Sequence, residues 1–285
     1  MISISTECGK TRIPNLLKWV GGKGSEVAFL AEMIPDNFNR YFEPFFGGGA
    51  LFWHLRLRGI ITHATISDLN PELVNLLQTV RDSPQELEAE LANYRNLEGL
   101  ANYLKTREKF NQLKGDKVHR VERAAMFLYL NRNSFNGLWR TNSRGEFNVP
   151  YGRYNTYWLP GPEELEFYSL MLESVEINNS DFTSVLNTAH ENDFVYFDPP
   201  YIGEKNYSFT QYCGTVFGQQ EQELLADIFR KLTIKGVKCM LSNFAVDQLM
   251  ILYEEFSFRK LNVNHTVSCK VSSRGKKEEV VIVNY

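Results

Sequence analysis

The stretch FVYFDPPYIG, residues 194–203, carries the most pointed chemistry in the chain. Phe194, Val195, Tyr196 and Phe197 read as a buried strand. That strand delivers a carboxylate, Asp198, followed by two prolines and Tyr201. A strand-terminating acidic turn explains the Pro-Pro pair but not the whole Asp-Pro-Pro-Tyr set. Pro199 and Pro200 have no N–H. If the Asp198 side chain and the Pro199 carbonyl face one pocket, they form two acceptors with no donor beside them. Two acceptors held about 3 Å from one target suit an exocyclic NH₂ group. Accepting both N–H bonds draws the amino nitrogen toward tetrahedral geometry and aims its lone pair at an electrophile. Tyr201 adds an aromatic face on which a base can stack, worth about 1–3 kcal/mol.

Other residues of this kind stand where strands end. YFEPF (41–45) reads as a short strand that stops at Gly47-Gly48-Gly49, and ALFWHLRL (50–57) as a helix. Glycines there let the backbone approach a ligand closely; a plain tight turn explains them equally well. ATISDLN (64–70) is a second strand ending in an acid, Asp68. A carboxylate in that place can take both hydroxyls of a ribose, or can serve as a turn or helix-capping residue. Pro71 suits the first turn of the following helix. No phosphate-cradling GxxxxGK[ST] is present, so the cofactor expected is a nucleoside without a polyphosphate.

The elements that position these residues fall into three zones. Residues 1–70 alternate strand and helix. Residues 71–171 are mostly helical: PELVNLLQTVRD, PQELEAELANYRNL, NYLKTREKFNQL and VERAAMFLYLNR all have helical spacing. WRTNSRGEFNV (139–149) resembles a β-hairpin, with turn signals at Asn136-Gly137 and Arg144-Gly145. Residues 172–285 return to alternation, with a strand at 174–178 leading to Asp181. Alternation argues for an α/β fold with a parallel sheet, whose ligands collect at the carboxyl ends of its strands. The glycine loop, Asp68, Asp181 and Asp198 are all expected there.

Composition sets outer bounds. The 285 residues have a net charge of −3 and no apolar run near the roughly 20 residues of a membrane span. MISISTECGKTRIPN lacks a secretory pattern. Cys8, Cys213, Cys239 and Cys269 are scattered, which suits neither a metal site nor a disulfide framework; a reducing cytoplasm is expected. Acidic overall charge argues weakly against nucleic acid, but its distribution does not. Residues 118–158 carry Arg120, Arg123, Arg132, Arg140, Arg144 and Arg153 against Glu122 and Glu146. Residues 259–277 carry Arg259, Lys260, Lys270, Arg274, Lys276 and Lys277 and no acid. Each cluster alone reads as a solvated face; two of them lean toward a polyanion.

Several segments match a family in the same order. FVYFDPPY resembles the signature of S-adenosylmethionine-dependent amino-methyltransferases, and FEPFFGGGALF (42–52) resembles their cofactor loop. LKWVGGKGSEV (17–27), LYLNRNSFNGLWRTNSRGEFNVPYGRY (128–154) and VSSRGKKEEVVIVNY resemble segments of the Dam-type, D12 class DNA adenine-N6 methyltransferases. The resemblance spans nearly the whole chain. It implies a Rossmann-like methyltransferase fold with a mostly helical DNA-recognition insertion, residues 71–171, between two parts of a catalytic domain, 1–70 and 172–285. It implies S-adenosyl-L-methionine as cofactor, double-stranded DNA as partner and no metal. A monomer is expected, since flipping one adenine needs one active site.

The same resemblance implies residue roles. Trp19 and Lys23 lie beside the cofactor; Phe46, Gly47 and Gly49 wrap its methionine part. Asp68 takes the ribose hydroxyls, and Asp181 with Phe182 contacts the adenine. Asp198, Pro199 and Tyr201 hold the flipped target adenine. Phe135 and Asn136 intercalate, while Leu138, Arg140 and Pro150 read bases of GATC and Lys18 contacts its first guanine. Arg140 can pair bidentately with guanine, and Leu138 and Pro150 can touch a thymine methyl. Trp19 and Phe46 also suit core packing, Leu138 hairpin packing, and Arg140 a phosphate contact. Position 135 is often Tyr in the family and is Phe here; Asn155 and Thr156 stand where some relatives have lysine. Cytosine-N4 enzymes usually carry Ser at the position of Asp198, and the protein-amide enzymes Asn. The competing readings are a methyltransferase of RNA or of a protein amide, and a DNA-binding factor that has lost catalysis; the intact Asp198, Tyr201, Asp68 and glycine loop argue against the last.

Overall fold

The computed structural model describes residues 15–201, 211–212, 215–264 and 276–285. Cys8, Cys213, Cys269, Lys270 and Arg274 lie outside the described residues. The strands are β1 Tyr41–Glu43, β2 Ala64–Ser67, β3 Val175–Asn178, β4 Phe194–Phe197, β5 Gln211–Tyr212, β6 Thr215–Val216, β7 Lys238–Phe244, β8 Ser257–Asn264 and β9 Lys276–Val283. Seven of them form one sheet in the order β3-β2-β1-β4-β7-β9-β8. β1 pairs in parallel with β2 (Tyr41 opposite Ala64) and with β4 (Tyr41 opposite Phe194), and β4 pairs in parallel with β7. β9 runs antiparallel between β7 and β8. The strand order reverses at β1 and β4, and such a switch point opens a crevice at the carboxyl ends of the strands. Asp198 follows β4 directly, and the glycine loop follows β1.

The helices are α1 Val27–Glu32, α2 Ala50–Leu57, α3 Pro71–Asp82, α4 Pro84–Ala92, α5 Leu100–Gln112, α6 Arg120–Asn133, α7 Pro162–Leu172, α8 Val185–Thr188, α9 Gln219–Ile234 and α10 Asp247–Leu252. The start of α3 shows how locally these are set. Asn70 caps it, its side chain accepting from the N–H groups of Glu72 and Leu73, and Pro71 fills the first turn where its missing N–H does no harm. The cap is therefore Asn70 and not Asp68, which removes the helix-capping reading of Asp68. In α9, Gln222, Leu225, Ala226, Ile228, Phe229 and Leu232 are buried, a stripe at helical spacing, and Glu221 accepts from the Gly218 N–H at its start.

The chain separates into two compact units. One holds the residues up to Gly22, Gly47–Leu57 and Asn70–Ile177; the other holds Lys23–Phe46, Arg58–Leu69 and the residues from Asn178 on. The first is built round α6, buried on all sides from Arg123 to Asn133, with α3, α4 and α5 against it. The second has its core where Phe42, Val195, Phe197 and Leu241 of the sheet meet Leu225, Phe229 and Leu232 of α9.

The 139–149 segment turns back on itself as expected, with Thr141 opposite Phe147 in an antiparallel bridge and backbone bonds from the Asn142 N–H to the Glu146 carbonyl and from the Asn148 N–H to the Arg140 carbonyl, though it forms no extended strands. The Asn142 side chain braces the turn by accepting from the N–H groups of Arg144 and Glu146. The basic zone of residues 118–158 is smaller than its count. Arg123 is buried against Glu72, donates to the Phe110 carbonyl at 2.9 Å and lies over the Phe110 ring. Arg132 is buried and donates to the carbonyls of Asn15 and Leu16. Arg140, Arg144 and Arg153 are exposed, with Arg140 donating to Asn148 and Arg144 paired with Glu146. No helix among the described residues is long and apolar enough to cross a membrane.

Candidate active site

Asp198 sits where β4 ends and is half-buried. Its Oδ1 has no hydrogen-bond partner among the described residues. Its nearest cation is the buried Lys23 ammonium, 3.4 Å away. The pocket is therefore not free of donors, as Pro199 and Pro200 alone suggest: Lys23, from the segment ahead of α1, supplies one. The same ammonium lies 3.9 Å from Glu279 and 4.2 Å from the centre of the Tyr201 ring. Tyr201 donates its hydroxyl to Glu279 at 3.3 Å and packs edge-on against Phe244. One lysine thus faces two carboxylates and an aromatic ring, all in the second unit.

The floor is built by the strands. Tyr41 donates to the buried Glu43 at 2.7 Å, and the hydroxyls of Tyr196 and Ser242 are 2.6 Å apart. Burial raises the Asp198 carboxyl above the usual aspartate range, while Lys23 and the Tyr201 hydroxyl act against that rise. Glu279 is raised as well, again by burial first. Burial also pushes the Tyr196 and Tyr201 hydroxyls well up, with the Asp198 charge adding to both. The Pro200 carbonyl accepts from the Gln222 amide of α9 at 3.2 Å, so the Pro-Pro segment is held from the helix side.

The other acids of the strand ends lie in the same unit. Asp68 is buried after β2; its N–H reaches the Asn178 carbonyl at 3.3 Å and its own carbonyl accepts from the Asn179 amide. Asp181 caps the short turn at Phe182–Ser184 by accepting from the Thr183 N–H at 2.8 Å. Phe182 is buried and stacks on Phe45, with ring centres 5.2 Å apart. Phe46 is buried and donates its N–H to the Ser67 carbonyl, tying the ends of β1 and β2 together.

In the first unit the glycine loop meets Trp19. Gly47 and Gly49 have positive φ, +49° and +62°. A Cβ on Gly47 would lie 2.9 Å from Trp19 Nε1, so the indole uses the space that the missing side chain leaves. Phe135, Asn136, Arg140 and Pro150 are exposed on this unit, and Leu138 is half-buried. The Phe135 N–H donates to the Pro150 carbonyl at 2.9 Å, which brings the intercalation and base-reading candidates onto one local scaffold. Lys18 is joined to the same scaffold through α6: its N–H donates to the Asn131 Oδ1 at 2.9 Å.

The profile of the D12 class N6 adenine-specific DNA methyltransferases matches residues 19–268. The chain belongs to that family. It is similar to Type II methyltransferase M1.LlaDCHI of Lactococcus lactis subsp. cremoris, 38% identical over 97% of each chain. Type II methyltransferase M.MjaIII of Methanocaldococcus jannaschii is 37% identical over 94% of this chain and 98% of the relative. The DNA adenine methylase of Haemophilus influenzae is 31% identical over 94% and 92%. As a D12 enzyme, the protein is an adenine-N6 DNA methyltransferase with S-adenosylmethionine as methyl donor. Within the second unit the donor set suits a cationic nucleoside cofactor: a buried acid, Asp68, after β2, and two carboxylates, Asp198 and Glu279, against the one ammonium of Lys23.

Sequence reasoning left three residues of this D12 enzyme without a role: Glu279, Gln222 and Asn131. Glu279 had a signal. Neighbouring residues of a strand face opposite sides, so one of Glu278 and Glu279 must point inward from β9. Gln222 sits in the otherwise apolar buried stripe of α9 and Asn131 among the other buried polar residues of α6, and nothing local tells which backbone group an amide there will serve.

Proposed function

We propose that this DNA methyltransferase acts on the adenine of GATC and takes that adenine out of the duplex before transfer. The observation that carries the mechanism is Asp198, a carboxylate at the β4 terminus whose Oδ1 has no hydrogen-bond partner among the described residues. An adenine inside a stacked duplex cannot reach such a site, so the base must leave the stack. Its N6 amino group donates to the unpartnered Oδ1 of Asp198, beside the Lys23 ammonium 3.4 Å away, and the Pro199 carbonyl accepts the second N–H. Tyr201, its plane set by Glu279 and Phe244, gives the base a face.

Bound S-adenosylmethionine supplies an electrophilic methyl group. The amino nitrogen would gain that methyl, the electron pair of the broken C–S bond would leave with the thioether, and the proton released from nitrogen would pass by way of the Asp198 carboxylate to solvent. Asp198 holds the N–H that sheds its proton and stabilises the positive charge growing on nitrogen. The rest is positioning. In this reading Trp19, Lys23, Phe46, Gly47, Gly49, Asp68, Asp181 and Phe182 hold the cofactor. Phe135 and Asn136 fill the hole in the duplex, while Lys18, Leu138, Arg140 and Pro150 contact the site. Residues 71–171 carry recognition, and 1–70 with 172–285 carry catalysis. One flipped adenine per active site supports a monomer, and the scattered cysteines support a cytoplasmic setting.

Asp198→Ala is expected to abolish methyl transfer to duplex DNA while leaving duplex binding in place; normal activity in that variant overturns the mechanism. Digestion of treated DNA with two nucleases, one cutting only methylated GATC and one only unmethylated GATC, tests the site.

A further inference from the structure

The amide of Asn131 is fully used, and all its partners lie in the segments proposed to touch DNA. Its Oδ1 accepts from the Lys18 N–H at 2.9 Å, and its Nδ2 donates to the Lys18 carbonyl at 2.7 Å. The same Nδ2 donates to the Gly137 carbonyl at 3.2 Å. Two bonds to both backbone groups of one residue act as a single rung of a β-ladder. They fix the peptide plane on each side of Lys18, and so the direction in which its side chain leaves. The third bond ties that direction to the Phe135–Gly137 turn. Asparagine is a poor helix former, yet Asn131 is 4% exposed inside α6; its side-chain bonds give it a reason to be there.

The far side of Lys18 is equally confined. Gly137 has φ +64°, and a Cβ on it would lie 2.3 Å from Lys18 Cβ. The Lys18 ammonium donates to the Arg132 carbonyl at 3.2 Å and lies 3.8 Å above the Tyr154 ring. Tyr154 in turn accepts from the Asn136 N–H at 2.9 Å. Burial, with Arg132 beside it, holds the Lys18 ammonium below the usual lysine range. A lysine on a flexible four-carbon stem reads poorly by itself; here its base and its head are both held.

We propose that Asn131 is a specificity-positioning residue: it locks Lys18 in register with the 135–138 turn, so that the lysine meets one base pair of the recognition site and not merely phosphate. The proposal rests on the reading of Lys18 as a base contact.

The test uses the full-length enzyme and duplexes in which each base pair of its preferred site is replaced in turn, read as single-turnover methylation rates. Lys18→Ala is expected to lose about tenfold discrimination at one base pair. Asn131→Leu, similar in volume but without the bonds, is expected to lose the same discrimination at the same pair. The double variant is expected to lose no more, and the pairs read by other residues are expected to stay within about twofold. Gly137→Ala, which presses on Lys18 while leaving Asn131 intact, is expected to reproduce the pattern and stands in if Asn131→Leu does not fold. Unchanged discrimination in Asn131→Leu overturns the proposal, as does equal loss at every base pair. Loss of cooperative melting or of S-adenosylmethionine binding in both variants makes Asn131 a folding residue and also overturns it. If Lys18→Ala discriminates like the wild type, the base-contact reading of Lys18 fails first and the proposal falls with it.

Discussion

Asp198 is pulled two ways. Burial favours its neutral form; Lys23 and the Tyr201 hydroxyl favour the ionised one, and burial wins, so its pKa is raised. Only the ionised carboxylate offsets the positive charge that grows on the amino nitrogen during transfer. Methyl transfer is therefore expected to fall as pH drops, with a midpoint above the roughly 3.9 of an ordinary aspartate. The linkage has the opposite sign for stability: ionising a carboxyl whose folded pKa is raised costs stability as pH rises through that range. Lys23→Met removes the opposing cation, so the acid limb should move to higher pH. A pH profile of the single-turnover rate checks this, and a limb that stays in place or moves down refutes the role given to Lys23. The Asp-Pro-Pro-Tyr pattern made the acid at the end of β4 legible. It could not show Lys23 or Glu279, because each comes from a different part of the chain and meets Asp198 only in three dimensions.

Helix α6 carries more polar side chains inside than its amphipathic pattern reveals. Arg123 is enclosed, paired with Glu72 of α3 and bonded to the Phe110 carbonyl of α5. Removing one member of a buried pair leaves the other charge uncompensated. Arg123→Ala should thus cost about 3–5 kcal/mol, measured by chemical denaturation; a loss within experimental error would show that Glu72 finds water. The helix starts were readable to within a residue or two where apolar spacing and a leading proline agreed, as at Pro71 and Pro84, although the helix read over 84–97 ends at Ala92. The 139–149 turn was readable from its Arg144-Gly145 signal, but the part the Asn142 side chain plays in bracing it was not. The burial of Arg123 and Arg132 was not readable either, since a count of arginines does not say which ones face Glu72 or a backbone carbonyl. The glycine loop was legible as a tight turn, but its neighbour Trp19 was not. Gly47→Ala should weaken S-adenosylmethionine binding by calorimetry, since a side chain there meets both positive φ and the indole; unchanged affinity would separate the loop from the cofactor.

The molecule as a whole is acidic, with a net charge of −3, so attraction to DNA has to be local. Each phosphate contact contributes about −0.9 to the slope of log affinity against log salt. Arg140→Ala and Arg144→Ala should each flatten that slope by up to this amount, whereas Arg230→Ala, on α9 and outside the segments proposed to touch DNA, should leave it unchanged; filter binding across salt concentrations decides. The path of the chain has another consequence. It passes between the two compact units at 22–23, 46–47, 57–58, 69–70 and 177–178, so neither unit is a contiguous stretch. A ribosome delivering this polypeptide cannot finish one body and then begin the next, as it can with beads on a string. The helical body waits for residue 177, and the sheet waits longer, because β9 is threaded between β7 and β8 after both have been made. Until β9 is made, the edge of β7 that it covers and the edge of β8 that it pairs have no partner in the sheet, and open edges invite pairing with other nascent chains. Synthesis rate and chaperone supply should govern the yield of this enzyme more than the stability of its finished core.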